Sequence, residues 1–328
     1  MLLDVAKAGQ RLVAVGERGI VLLSDDGGVT WRQTQVPTSM TLTALTFKDA
    51  RLGWVVGHGG ILLQTQDGGK TWNRHLDGKK VADMILKDAQ ESVAKSPDSK
   101  TAQALLDNAR NLVEQGAIHP FLDIYFHDED NGFIIGAYGL ILRTKDGGRT
   151  WMPWLSKVDN PYMLHYYTIC GKGTKIYMAG EQGLFYRSLD SGDSFEKIET
   201  PYGGSYFASV LTEKGDVVIA GLQGNIFRSK DDGISFEQII VPDQITVNTM
   251  CLLRNGRVLV MNQLGQLLML HDEKPEALLL QQKGPPATAW VEIDDGWLVS
   301  VGFQGVFRYS EPLSLSRFAL QRQQGDNQ

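Results

Sequence analysis

Apolar and polar positions alternate along most of the chain with the two-residue period of short β-strands, and glycine-rich turns interrupt them at close intervals. The segment from 41 to 65 shows the pattern. TLTALTF (41–47) reads as a half-buried strand, KDARLG as a turn, WVVG (54–57) as a buried strand, HGG as a second turn and ILLQT (61–65) as a third strand. The turn-and-strand phrase recurs as VGERGIVLLS (15–24), VGHGGILLQT (56–65), IGAYGLILRT (135–144), AGEQGLFYRS (179–188) and AGLQGNIFRS (220–229). Weaker copies follow as MNQLGQLLML (261–270) and VGFQGVFRYS (301–310).

The second glycine of each copy falls at Gly19, Gly60, Gly139, Gly183, Gly224, Gly265 and Gly305, so the intervals are 41, 79, 44, 41, 41 and 40 residues. A period of ~40–45 residues carrying several short strands is that of a propeller blade. One four-stranded blade cannot cover its own faces, so its neighbours must. The pattern therefore predicts an all-β fold, a seven-bladed β-propeller of four-stranded blades over residues 1–321. LLDVAKA (2–8) is read as the first strand of blade 1, LSRFALQ (315–321) as the last of blade 7, and the polar stretch 322–328 as a flexible tail.

The long interval holds an insertion, residues 78–118, between blades 2 and 3. Val81, Ile85, Ala89 and Val93 keep helical spacing, and so do Ala102, Leu105, Leu106, Ala109, Leu112 and Val113. Pro97 separates the two runs, Asp98 or Ser99 can cap the second and Gly116 can end it, which predicts a helical hairpin.

Behind five of the phrases stands Ser/Thr-x-Asp-x-Gly-x-Thr/Ser-Trp/Phe, with its aspartates at Asp26, Asp67, Asp146, Asp190 and Asp231. Aspartate and hydroxyl side chains satisfy turn backbone groups and glycine tolerates positive φ, so this Asp-box is read as structural. Its Gly-Lys-Thr at 69–71 is no phosphate loop, because Gln64 stands where that loop needs glycine.

In an up-and-down blade the Asp-boxes, between the third and fourth strands, lie at the opposite end from the Gly-x-x-Gly turns between the second and third. The latter face gathers Glu17, Arg18, His58, Tyr138, Glu181, Gln182, Gln223, Gln263 and Gln304, and the hairpin must emerge on it. Glu17, Arg18, His58, Tyr138, Gln182, Gln223 and Gln304 are the partner-binding candidates, with Arg18, His58 and Tyr138 suited to an interface anchor.

Composition narrows the chemistry. A net charge of −6, without a dense basic stripe, argues against nucleic acid, and no apolar run approaches a membrane span. The six histidines lack metal-ligand spacing, DEDNG (128–132) has the wrong register for a calcium loop, and GGSYF (203–207) lacks the second glycine of a nucleophile elbow. No cofactor or metal is expected. Cys170 and Cys251 fall on equivalent innermost strands of non-adjacent blades, too far apart for a disulfide, and are read as buried free thiols. The enzyme alternative is a sialidase-like or lyase-like carbohydrate-active propeller, which needs arginines converging on the central opening. Arg143, Arg187, Arg228 and Arg308 instead share one repeated position in the third strand.

With its Asp-boxes, AVGERG (14–19), GAYGLILRTKDGGRTW (136–151) and PFLDIYF (120–126), the chain over about residues 2–310 resembles the photosystem II stability/assembly-factor-like family of BNR-repeat propellers. It is most similar to the proteobacterial branch, which carries a helical insert before HPFLDIYF and is often encoded beside resistance-nodulation-division-type exporters. The photosynthetic members are non-catalytic assembly factors that bind nascent reaction-centre proteins on the lumenal side. The resemblance thus implies an extracytoplasmic, periplasmic scaffold that docks on a membrane protein or its assembly intermediate. Family members usually begin with an export signal; none is visible here, which suggests a trimmed or mature chain.

Overall fold

In the computed structural model, residues 1–116, 118–293 and 296–309 are described. They form seven antiparallel sheets, six of four strands and a seventh with three strands among the described residues. Within each sheet the strands, here A to D, pair strictly in chain order. In sheet 1 they are Leu2–Ala8, Arg11–Gly16, Val21–Ser24 and Arg32–Thr34. The A strands of sheets 2 to 7 are Leu42–Phe47, Phe121–Phe126, Tyr166–Lys172, Tyr206–Leu211, Val247–Leu252 and Ala287–Glu292. LLDVAKA is therefore the first strand of sheet 1, while LSRFALQ and the 322–328 tail lie outside the described residues.

Each A strand packs beside the A strand of the next sheet, and Leu2–Ala8 packs beside Ala287–Glu292 of sheet 7. The apolar core is correspondingly divided. Val13, Val15 and Leu23 of sheet 1 cluster with Val55 and Leu63 of sheet 2. Phe133 and Ile141 of sheet 3 cluster with Ile176 and Met178 of sheet 4, and Leu2, Val5 and Ala14 of sheet 1 with Val301 of sheet 7. Each B strand is buried along its whole length or nearly so, because both of its faces are covered by a neighbouring sheet.

The Asp-boxes are the turns from strand C to strand D, and each does two things. Within the turn, Asp26 accepts bonds from the Ser24 hydroxyl (2.8 Å), the Thr30 amide (2.9 Å) and the Thr30 hydroxyl (2.6 Å). The Ser24 hydroxyl in turn accepts from the Gly28 amide at 2.9 Å. The same set recurs around Asp67, Asp146, Asp190 and Asp231. The Thr30 hydroxyl and amide hold the Asp26 pKa at about 2, and the Ser235 hydroxyl does the same for Asp231.

Between sheets, the box glycine seats the turn on the preceding sheet. A methyl group on Gly148 would lie 2.6 Å from Trp54 Nε1 of sheet 2, one on Gly192 2.2 Å from the Phe133 ring of sheet 3, and one on Gly28 2.8 Å from Val299 of sheet 7. Arginines complete this seam. Arg143, only 2% exposed, donates to Ser191 O (3.1 Å), Gly192 O (2.9 Å) and Asp193 Oδ1 (2.7 Å) of the next sheet's turn. Arg187 reaches Asp232 O at 2.7 Å, Arg228 reaches His271 O and Asp272 O at 2.7 and 2.9 Å, and Arg308 reaches Gly27 O of sheet 1 at 3.1 Å. Arg11, on strand B, makes the equivalent contact with Gly68 O at 3.0 Å.

The innermost strands are also joined by polar side chains. Asp4 accepts the Leu45 amide of sheet 2 and Asp123 the Ile169 amide of sheet 4, at 2.8 and 2.9 Å. Thr43 donates to Phe121 O and Thr288 to Leu2 O, at 2.7 and 3.1 Å. Burial raises both carboxyl groups to a pKa of about 7, against the opposing pull of their backbone bonds. Cys170 and Cys251 are free but half-buried rather than sealed; burial still pushes the Cys170 thiol up to about 12 and raises Cys251.

The insertion is helix α1 (Gly78–Lys95) and helix α2 (Lys100–Glu114). Asp77 caps α1 through the Lys80 amide, and Ser99, rather than Asp98, caps α2 through the Ala102 amide, at 3.0 and 3.2 Å. Gly116 ends the hairpin with φ +81°. Val81, Ile85, Ala89, Leu106, Ala109 and Leu112 join one core with Leu62 of sheet 2 and with Ile134 and Leu142 of sheet 3. The hairpin is thus bound into the seam between those sheets.

Candidate interaction surface

The Gly-x-x-Gly turns stand at the end of the sheets opposite the Asp-boxes. Five of them, Glu17–Gly19, His58–Gly60, Ala137–Gly139, Glu181–Gly183 and Leu222–Gly224, fold as single 3-10 turns. Their middle residues are all left-handed: Arg18 (φ 57°), Gly59 (65°), Tyr138 (54°), Gln182 (53°) and Gln223 (56°). Four of these carry side chains in a region where an ordinary residue is disfavoured by roughly 1 kcal/mol or more.

Two anchors hold that strain. The residue after the first glycine donates its amide to the carbonyl just before strand A: Glu17 to Met1, His58 to Thr41, Ala137 to Pro120, Glu181 to His165 and Leu222 to Ser205, at 2.8–3.1 Å. The first glycine is required by closeness, since a methyl group on Gly180 would lie 2.0 Å from His165 O. The second glycine, itself left-handed, abuts the link to the next sheet; a methyl group on Gly183 would lie 2.6 Å from Tyr202 O. The turn therefore presents its middle side chain outward at the same place in successive sheets.

Arg18, Tyr138, Gln182 and Gln223 occupy that place and are exposed; Glu17 and His58 stand one residue earlier, also exposed. Gln304 is exposed at the matching position of sheet 7, but its φ is not positive. No hydrogen bond or ion pair joins any two of these seven residues among the described residues, so they are a set of separate tips. Tyr138 alone is built into a larger group. Its ring stacks on His119 (centroids 4.2 Å apart), meets His165 edge-on (4.7 Å), and its amide donates to His165 Nδ1 at 2.9 Å. Burial, with the neighbouring His165 next, lowers the His119 pKa. Glu181 Oε2 accepts the His165 amide at 3.1 Å, carrying the group into sheet 4.

Beside the polar tips the same turns expose apolar side chains that sequence reasoning passed over: Leu222, Leu264 (66% exposed) and Phe303 (82% exposed) on sheets 5, 6 and 7. Their signal was in the repeated phrase itself, LQG, QLG and FQG, where the glutamine drew notice and its apolar neighbour did not. The hairpin opens onto this face, for the His119 carbonyl accepts the Gly60 amide at 3.1 Å and Gly78 touches Gly60. Between α1, α2 and Tyr138 lies a solvent-open cleft lined mostly by apolar side chains. The described residues hold no cluster of three or more histidine, cysteine or acidic side chains that could bind a metal, and no helix among them is long and apolar enough to cross a membrane.

The fold and the surface define a repeat propeller whose repeated turn geometry presents side chains at one face. The chain belongs to the family described as photosynthesis system II assembly factor YCF48, whose model matches residues 1–88 and 103–203 and breaks only within the hairpin over that span. A chloroplastic photosystem II stability/assembly factor HCF136 from Oryza sativa subsp. japonica is 33% identical over 81 residues, 24% of this chain and 20% of its own. A photosystem II assembly lipoprotein Ycf48 from Synechococcus sp. (strain CC9902) is 29% identical over 77 residues, 24% of this chain and 23% of its own. The chain thus spans about a fifth of the length of the curated relatives it matches. Among solved structures, YCF48 bound to D1 peptide aligns with a TM-score of 0.67 at 18% identity, covering 94% of this chain and 92% of its own. A streptogramin B lyase aligns with a TM-score of 0.68 at 10% identity over 93% and 91%, a likeness of fold alone.

Proposed function

We propose that the chain is a non-catalytic scaffold that docks on a membrane protein, or on an intermediate in its assembly, through the Gly-x-x-Gly face and the helical hairpin. An exporter complex is one such partner, and the extracytoplasmic side is where the docking takes place. Family membership carries the reading: a relative of the same fold has been solved bound to D1 peptide. The array of outward, backbone-fixed tips is the kind of preorganised surface that lowers the entropy lost on association. The carbohydrate-active alternative asked for arginines converging on the centre. Arg143, Arg187, Arg228 and Arg308 are instead engaged with the turns of neighbouring sheets, and no observation favours that alternative.

The test is capture from detergent-solubilised native membranes, comparing the intact chain with a variant carrying Arg18→Glu and Tyr138→Ala. The expected result is one membrane protein enriched by the first and lost with the second. Equal recovery by both forms, or no membrane protein with either, overturns the reading.

A further inference from the structure

The cleft between the hairpin and sheet 3 has apolar walls and a half-buried carboxylate that no described side chain contacts directly. Leu105 and Leu112 of α2 line it together with Leu140 and Tyr138. Asp88 of α1 and Asn108 of α2 also line it, both half-buried. Neither side chain has a hydrogen-bond or ion-pair partner within the usual distances among the described residues. Burial, with Glu91 next, raises the Asp88 pKa, while Lys95 and Lys157 act on it from beyond contact distance in the opposite sense.

We propose that this cleft receives an arginine side chain of the docked partner polypeptide, its guanidinium on Asp88 and its methylene stem against Leu105, Leu112 and Tyr138. The proposal rests on the docking function above and names its anchor. A cation can make the direct contact that the carboxylate lacks, and an acidic chain of net charge −6 favours a basic partner segment. The apolar walls require a stem rather than a bare ion. Arginine fits better than lysine for two reasons. Its planar fork can engage Asp88 and the Asn108 amide oxygen together, and its flat face can lie on the Tyr138 ring, which His119 already holds by stacking at 4.2 Å. The strained Tyr138 backbone, fixed by His165, sets that ring at the cleft mouth before any partner arrives.

The experiment titrates a blocked peptide, acetyl-Gly-Leu-Arg-Leu-Gly-amide, into the full chain by calorimetry, beside versions with lysine or norleucine in place of arginine. Saturable binding of the arginine peptide is expected, with about tenfold loss for norleucine and a smaller loss for lysine. Asp88→Asn should weaken the arginine peptide by about tenfold and leave the norleucine peptide unchanged. No saturable binding, or an Asp88→Asn protein that binds like the parent, overturns the proposal; equal binding of lysine overturns its guanidinium part. The norleucine comparison uses the unaltered chain and so does not depend on any variant folding. Membrane capture separates the two readings. If Asp88→Asn still captures the membrane protein while the arginine peptide fails to bind, the docking function stands and the cleft anchor falls. If the peptide binds but no membrane protein is captured, the reverse holds.

Discussion

Arg143 shows how much one residue of the repeat does. Its guanidinium is almost wholly buried and meets two carbonyls and a carboxylate contributed by residues 191–193. Replacing it with leucine keeps apolar bulk but strips the Ser191 and Gly192 carbonyls of their donor in the seam, while Asp193 stays exposed and paired with Lys145. Arg143→Leu should lower stability by about 2–4 kcal/mol in urea unfolding, with Arg187→Leu, whose side chain is more exposed, losing less. Gly148→Ala tests the other half of the seam. Its φ of +77° and the closeness of Trp54 predict a loss of about 2–4 kcal/mol, whereas Gly173→Ala, with positive φ but open space around it, should lose only about 1 kcal/mol. The repeated arginine was legible in the sequence as a position. Its partner was not, because the contact joins residues 48 to 50 apart and nothing local encodes which turn will lie there.

At the scale of elements, the hairpin and the innermost strands behave differently. Leu106 packs in the core that ties α1 and α2 to sheets 2 and 3. Leu106→Ala should cost about 2–5 kcal/mol, and amide exchange should quicken in both helices while sheet 5 keeps its protection. The helices themselves were readable from spacing and caps, and the structure differs only in choosing Ser99 over Asp98. The cleft was not readable, since it exists only where α1 and α2 meet Tyr138 and Met163 from a distant part of the chain. Asp4 and Asp123 were passed over for a related reason: in a strand of alternating pattern they look like solvent-facing residues.

Those two carboxyls give stability an unusual pH profile. Their pKa rises from the ordinary 3.8 to about 7 on folding, so the folded state holds protons that the unfolded state has lost between these values. Stability from them is present in acid and falls as pH rises toward 7. Asp26 and Asp231 act in the opposite sense: their pKa drops from 3.8 to about 2, so their contribution is present above 3.8 and is lost as pH falls toward 2. From these four groups the urea midpoint should therefore peak at about pH 4 and decline on both sides. A midpoint that rises steadily from pH 4 to 8 would contradict the burial of Asp4 and Asp123.

Over the whole molecule, the seven-sheet order was legible because the Gly-x-x-Gly turn and the Asp-box impose a rigid spacing, and only the insertion breaks it. How the first and last sheets meet was not legible, since that contact unites residues about as far apart as the chain allows. Thr288 donates to both Leu2 O and Val301 O, at 3.1 and 3.0 Å. Thr288→Val should loosen this junction by about 1 kcal/mol and hasten amide exchange in Leu2–Ala8 before any other A strand.

The arginine contacts of sheets 1, 3, 4, 5 and 7 all run one way, each reaching forward to the turn of the next sheet, and the last, Arg308, reaches Gly27 of sheet 1. A ribosome delivers the sheets in that same order. The turns of sheets 2, 4, 5 and 6 each meet an arginine of a sheet already made, whereas the first turn waits for Arg308, which lies 281 residues beyond Gly27. A chain halted anywhere before Arg308 leaves the Gly27 carbonyl without this donor, so the seam of sheet 1 is the one that reports that sheet 7 has been made.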